Sequence, residues 1–458
     1  MKVERNRLMT YNQYTLFGKT LHMPEAANID VLASSVARTP VLVSDDQVHD
    51  WYTFVLSFPP ALVREYLRRF AVGSGDLVLD PFCGTGTTLV ECKKQGVASV
   101  GVEATPMAAF ACKAKVHWSI RPELLLRHAK RVAARAHSRL SAEGITDEPP
   151  NRDVDCNRLV GFSDDAEALL IKGAISPLPL HKAYRLLEAI RGRGRNPYLV
   201  HELLALARIL PTEVGNLRFG PEVGIGRLKE DAAVVSRWLT QVENMARDLS
   251  AVQPLPGADS KVIEGDSRDL RSLLRPASVS AVFTSPPYPN EKDYTRVARL
   301  ESVMLGFFDS KEQLRQYKQT LVRSNTRSVY KADDDDAWVS GCAAIEEIAE
   351  AIEARRVALG KTSGFERLYP RLTKLYFGGM KRHFANLRHA LKPGAMLGYV
   401  VGDQASYLRV MIRTGELLAE LAESVGYDVV GIDLFRTRMA TATKSQLREE
   451  VLLLRWPG

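Results

Sequence analysis

Apolar and polar positions follow two different rhythms between residues 76 and 120. "DLVLD" (76–80) is a short apolar run bounded by acidic residues, and it leads into the glycine-rich turn "PFCGTGTT" (81–88). "TLVECKKQG" (88–96) then takes helical spacing, with Gly96 placed as its C-terminal stop. "SVGVE" (99–103) is again strand-like, and "PMAAFACKAKVHWSI" (106–120) is helical. Short apolar strands alternating with helices predict a parallel, doubly wound α/β sheet. Upstream, "WYTFVLSFPPALVREYLRRF" (51–70) predicts an apolar stretch, a proline break and an amphipathic helix. Residues 1–50 are polar with little periodicity and are expected to form an N-terminal arm.

The alternation stops after residue 120. Residues 121–141 read as one long basic helix, 142–160 as a mixed acidic segment, 181–210 as helix on both sides of a break at Gly192–Pro197, and 230–252 as another helix. With no strands between them, 121–255 is expected to be an inserted, mostly helical unit. Strand-like order returns at "SKVIEGDSRDL" (260–270) and "VSAVFTSPPY" (279–288). A second departure covers 291–375, with the acidic run Asp333–Asp336 and a helix near 340–358. The end of the chain predicts helix "YFGGMKRHFANLRHAL", turn "KPG", strand "AMLGYVVG" and helix "TGELLAELAESVG". Two last strands, "YDVVGIDLF" and "EEVLLLRW", are expected to pair as an antiparallel hairpin closing the sheet. The sheet-forming core is therefore assigned to 51–120, 256–290 and 376–458.

Composition narrows the class. At 458 residues, 45% hydrophobic and 25% charged, the chain suits a globular protein with more than one folded unit. No apolar run is long enough to span a bilayer and the N-terminus lacks a signal-peptide core, so a cytoplasmic protein with no membrane partner is expected. The five cysteines (Cys83, Cys92, Cys112, Cys156, Cys342) are scattered without a CxxC pair, which points to reduced thiols and no metal site. A formal net charge of +8 favours a polyanionic partner.

Four stretches carry candidate chemistry. The turn in "LVLDPFCGTGTT" lets backbone approach a ligand at a helix N-terminus. Glu103 ends the next strand at the distance from which a carboxylate holds ribose hydroxyls. This pair suits a nicotinamide cofactor, S-adenosylmethionine or another nucleoside equally well. Asp266 ends a further strand and either accepts from an adenine amino group or caps a helix. "TSPPY" (284–288) follows the apolar strand "VSAVF", and its prolines stiffen a loop where open α/β sheets bind ligands. Carbonyls around Ser285–Pro286 and the Ser285 hydroxyl can accept from an exocyclic –NH₂, and Tyr288 can stack on a base that has left the duplex.

"LDPFCGTGTT" followed by "TSPPY" resembles the S-adenosylmethionine-dependent amino-methyltransferases of DNA, which make N4-methylcytosine or N6-methyladenine. Their catalytic loop has the form [DNS]-P-P-[YF], and the serine version looks most like the N4-cytosine branch. "LSFPPALVREYL" (56–67) resembles the family segment that lines the methionine end of the cofactor. The resemblance implies a Rossmann-like methyltransferase sheet with largely helical insertions. It implies cofactor contacts from Phe58, Asp80, Phe82, Gly84, Gly86 and Thr87, with Glu103 on the ribose and Asp266 on the adenine. Ser285, Pro286, Pro287 and Tyr288 would form the catalytic target-base site. The implied partner is double-stranded DNA, with a companion restriction nuclease a further expectation.

Both insertions exceed what the core needs, and 121–255 is the candidate target-recognition region. Arg127, Lys130, Arg131, Arg135, Arg191, Arg193 and Arg195 are either phosphate or base contacts or a solvated face. In "NEKDYTR", Asp293, Tyr294 and Arg296 either approach the target or cap a helix. N6-adenine is the nearest alternative product; an RNA amino-methyltransferase and a non-catalytic DNA-binding module are the others. A C5-cytosine enzyme is excluded because TSPPY carries no thiol nucleophile, and a dehydrogenase would leave TSPPY without a task.

Overall fold

A computed structural model describes residues 13–16, 19–22, 47–53, 57–152, 154–192, 195–220, 222–439 and 446–458. Apart from the hairpin Gln13–Leu16 with Lys19–His22 and residues 47–50, the expected N-terminal arm lies outside these residues.

Seven strands build the main sheet: β1 (Leu77–Asp80), β2 (Ala98–Glu103), β3 (Ser260–Glu264), β4 (Val279–Thr284), β5 (Leu391–Gly402), β6 (Asp428–Met439) and β7 (Gln446–Arg455). Their order across the sheet is β6-β7-β5-β4-β1-β2-β3. The pairs among β1 to β5 are parallel, whereas β7 is antiparallel to both of its neighbours. The last two strands thus form the expected antiparallel pair, but β7 returns inside, between β5 and β6. β1 and β4 lie in the middle of the sheet and are almost wholly buried, which is why they read as continuous apolar runs. The expected "KPG" turn is absorbed into β5 as an irregularity, with Gly394 at φ +83°.

Helices cover both faces. On one, Val63, Tyr66 and Leu67 of α1 (Pro60–Arg69) cluster with Phe283, Val400, Val451 and Leu453. α2 (Thr87–Lys94) and α3 (Pro106–Lys115) follow β1 and β2. The helical insertion supplies α4 (Pro122–Ala142), α5 (Pro177–Arg191), α6 (Leu199–Ile209) and α7 (Val235–Val252). It also holds a small hairpin, Leu217–Arg218 with Gly224–Ile225, that the apolar pattern did not announce. One apolar cluster runs from Val90 of α2 and Met107 of α3 to Val132, Leu186, Leu204 and Trp238 of the insertion. The insertion therefore shares its core with the helices that flank the sheet.

The second insertion holds α8 (Arg299–Met304), α9 (Lys311–Gln319) and α10 (Ala343–Ala358). α11 (Gly364–Leu387) starts well before Tyr376, where the sequence placed a helix, and carries Pro370 inside it. A boundary at 375 thus falls within a continuous helix. The 335–339 turn crosses α11 so closely that a Cβ on Gly378 would collide with the Asp335 carbonyl oxygen. α12 (Thr414–Glu423) completes this face, where Phe377, Phe384 and Leu418 cluster with Leu79, Val282, Leu397 and Leu452.

Candidate active site

The chain runs from β1 toward β2 on one side and places β4 and β5 on the other, so a crevice opens at the carboxyl ends between β1 and β4. A cavity of about 330 Å³ occupies that crevice. On the β1 side the loop 81–86 turns through Gly84 (φ +50°) and Gly86 (φ +91°), which other residues adopt only at a cost. A Cβ on Gly84 would meet no atom within 4 Å, so the loop leaves open space there. Gly86 has a different reason: its Cβ would sit 2.5 Å from Cys112 Sγ, and the missing side chain lets α3 pack against the loop. The Glu103 carboxylate at the tip of β2 accepts from the Gly84 N–H at 2.8 Å and the Thr105 N–H at 2.7 Å. Burial pushes its carboxyl up, and these donors oppose the shift.

Asp80 is buried beneath the cavity rather than lining it. Its Oδ1 accepts from Thr284 Oγ1 at 2.6 Å and from the Phe82 N–H at 3.2 Å, so one carboxyl joins the glycine loop to the TSPPY loop. Burial pushes its carboxyl up to about 7, against the pull of the Thr284 and Thr88 hydroxyls.

On the β4 side, Ser285, Pro286, Pro287 and Tyr288 all line the cavity. Ser285 Oγ donates to the Val400 carbonyl at 3.0 Å, leaving its lone pairs to accept from another donor. The Tyr288 N–H donates to Tyr294 Oη at 3.2 Å, and the Asn290 N–H returns to the Tyr288 carbonyl at 2.8 Å. The Tyr288 ring lies over Gly402, whose absent Cβ would come within 3.3 Å of it. Burial holds the Tyr288 phenol well above its ordinary range.

The sequence did not reveal the third wall. Thr320, Leu321, Val322, Ser324 and Asn325 of the second insertion line the same cavity. Glu291 fixes this segment: its N–H donates to the Ser324 carbonyl at 3.1 Å, and its carboxylate accepts from the Thr326 N–H and hydroxyl. Tyr317 reaches across to donate to Thr105 Oγ1 at 3.0 Å. No glycine turn or motif marks these residues. The nearest signal was "NEKDYTR", where Tyr294 lines the cavity while Asp293 caps the turn 294–296 and pairs with Lys318 Nζ at 2.9 Å. From the far end of the chain, Phe435, Arg436 and Glu449 complete the rim.

Phe58, Phe82, Gly84, Thr87 and Glu103 thus meet the TSPPY residues in one cavity. Gly86 and Asp80 support its wall from behind. Asp266 is placed differently. Its carboxylate caps the Arg268 N–H at 2.8 Å and is gripped by the Arg268 guanidinium, with Nη2 2.6 Å from Oδ2, while neighbouring Ser267 lines the cavity. Arg268 is held in turn by Asp335 of the second insertion. Of the basic candidates, Arg127, Lys130, Arg131, Arg135 and Arg195 are exposed, and Arg135 donates to the Ala189 carbonyl. Arg191 donates to the Leu305 carbonyl, and Arg193 lies outside the described residues. None of the described ones lines the cavity.

A family model described as DNA methylase, of the N6 and N4 type, matches residues 39–109. The chain is 23% identical over 434 residues to the Type II methyltransferase M.BsoBI of Geobacillus stearothermophilus, covering 87% of this chain and 82% of that one. It is 23% identical over 445 residues to the Type II methyltransferase M.AvaI of a Nostoc species, covering 89% and 86% respectively. Among solved structures, TrmN from Thermus thermophilus aligns with 90% of this chain at 10% identity and a TM-score of 0.29, and the chain spans 53% of that structure.

Proposed function

We propose that the chain is an amino-methyltransferase of DNA with S-adenosylmethionine as its methyl donor, and that it methylates the N4 amino group of cytosine in double-stranded DNA with the target base turned out of the helix; the DNA methylase family model over 39–109 and the two Type II methyltransferase relatives support this reading. The observation that carries this reading is the meeting of the glycine loop and the TSPPY loop in one cavity, bridged by Asp80. Ser285 at the head of the S-P-P-Y motif favours cytosine over adenine.

The cavity fits the cofactor. Gly84 leaves room for a ligand against the loop, Glu103 offers a carboxylate at the tip of β2, and Phe58, Phe82 and Val102 supply apolar wall. When bound, S-adenosylmethionine supplies an electrophilic methyl group on its sulfonium. The residues of this chain act on the other reactant. Ser285 and the carbonyls of the rigid Ser285–Pro286 segment accept from the exocyclic amino hydrogens. That draws the nitrogen out of conjugation and aims its lone pair into the cavity. Prolines 286 and 287 hold the acceptors in place before the base arrives. Tyr288 stacks on the flipped base, its ring supported by Gly402. Transfer is direct, without a covalent enzyme intermediate.

The exposed basic face of α4 supports the helical insertion (121–255) as the DNA-reading unit, and the cavity wall from Thr320 to Asn325 supports a role for the second insertion (291–375) beside the target base. Both relatives are named Type II methyltransferases, which supports a modification role; a companion restriction nuclease belongs to the same proposal. A DNA substrate of that kind implies work in the cytoplasm. Among the described residues no helix is long and apolar enough to cross a membrane. The test is methyl transfer from labelled S-adenosylmethionine to unmethylated DNA, followed by nucleoside digestion and mass spectrometry. Labelled N4-methylcytosine is the expected product. N6-methyladenine would keep the site and change the base, and label only in RNA or protein would overturn the substrate.

A further inference from the structure

Glu449 of β7 is 9% exposed, and the strand sets it opposite Gly402 of β5 on one side and Arg436 of β6 on the other. The Arg436 guanidinium donates to its Oε2. A Cβ on Gly402 would lie 3.3 Å from Tyr288 Cε2 and 3.4 Å from Glu449 Cγ, so the glycine lets these two side chains stand next to each other. Burial, and after it the Glu449 charge, raises the Tyr288 phenol. Among the described residues that line the cavity, Glu103 and Glu449 are the carboxylates. Glu103 stands at the glycine loop, bonded to the Gly84 and Thr105 N–H groups. Glu449 is the one beside the TSPPY loop.

Moving a methyl group onto an amino nitrogen leaves a proton to dispose of. As the N–C bond forms, the electron pair of the C–S bond stays on sulfur, and the nitrogen carries a methyl group, two hydrogens and a positive charge. One N–H bond must then break, its electron pair returning to nitrogen. The Ser285 hydroxyl, the backbone carbonyls of the loop and the Tyr288 phenol are neutral groups that accept hydrogen bonds but do not hold a proton at neutral pH. We propose that Glu449 is a further catalytic residue, whose carboxylate opposes the positive charge developing on the amino nitrogen and then takes the proton. The inference rests on the amino-methyltransferase reading above and holds for either base. The neutral carboxyl group returns the proton to solvent once the product has left.

Single-turnover transfer from saturating labelled S-adenosylmethionine to unmethylated DNA tests it, beside calorimetry with S-adenosylhomocysteine. Glu449→Gln keeps the length of the side chain and loses the base. Its rate should fall on the order of a hundredfold to ten-thousandfold, with S-adenosylhomocysteine affinity kept. Glu449→Ala leaves room for a small carboxylate, and added formate should restore its rate as the formate concentration rises. A merely structural side chain would give no such response. An unchanged rate in Glu449→Gln, or a loss in Glu449→Ala that formate does not relieve, overturns the proposal. If Glu449→Ala does not fold, Glu449→Asp serves: it keeps the base on a shorter stem and should outpace Glu449→Gln, and equal rates overturn the proposal. Wild-type protein that transfers no methyl group to DNA would instead overturn the functional reading itself.

Discussion

Ser285 and Tyr288 sit close together in the chain, but in the proposed reaction they act on different terms. Ser285→Ala removes an acceptor for the amino group, so kcat should fall on the order of tenfold to a hundredfold with S-adenosylhomocysteine affinity kept. Tyr288→Ala removes the stacking surface and should raise the apparent KM for DNA, since base stacking on an aromatic ring is worth about 1–3 kcal/mol. Steady-state kinetics beside calorimetry separates the two, and near wild-type turnover in both variants would remove the catalytic assignment. Away from the cavity, Glu301 is buried with Oε2 lacking a hydrogen-bond partner among the described residues, while Oε1 accepts from Tyr52 Oη at 2.8 Å. Burial pushes its carboxyl from 4.5 up to about 7. The unfolded chain ionises between those values while the folded one does not. Wild-type stability therefore falls as pH rises through that window. Glu301→Gln stays neutral, so its stability relative to wild type should improve between pH 4 and pH 8, by up to about 3 kcal/mol. Urea unfolding at the two pH values reads this directly, and a constant difference would refute it.

At the scale of elements, the question is what holds the wall 320–326 against the cavity. Glu291 bonds it at three points. Glu291→Ala should loosen it, raising the KM for DNA several-fold and speeding amide exchange within 320–326, measurable by mass spectrometry; unchanged exchange would count against the clamp. This wall was invisible in the sequence for a physical reason. The glycine loop, Glu103 and TSPPY are legible because each needs particular residue types at the end of an apolar strand, and strands announce themselves by local pattern. Thr320, Leu321, Val322, Ser324 and Asn325 line the cavity where Glu291 and Tyr407 bond the Ser324 carbonyl and Tyr317 bonds Thr105 across the way, and such distant partners leave no local period. Asp266 shows the same limit: the strand end was legible, but the direction of its carboxylate depends on Arg268, which Asp335 anchors from far along the chain. α11 shows tertiary packing overriding a local signal. Pro370 reads as a breaker, yet burial of Leu372, Leu375 and Tyr376 sustains the helix through it.

For the whole molecule, the net charge of +8 gains meaning only from where it lies. Arg127, Lys130 and Arg131 are exposed on α4. If they meet phosphates, replacing all three by alanine should lower the slope of log affinity against log salt by about 0.9 for each phosphate that is no longer neutralised. Fluorescence anisotropy at several salt concentrations measures it, and an unchanged slope would move the DNA-reading surface elsewhere. The return of β7 between β5 and β6 has a consequence in time. Glu449, on this strand, stands at the rim of the cavity, and Val451 and Leu453 share a cluster with α1. During synthesis the parallel strands and the glycine loop emerge first and must wait, with a gap in the sheet, for residues 446–455 to leave the ribosome. On the proposed reading, methyl transfer waits until that gap is filled, so competence follows the emergence of β7 and not that of the TSPPY loop.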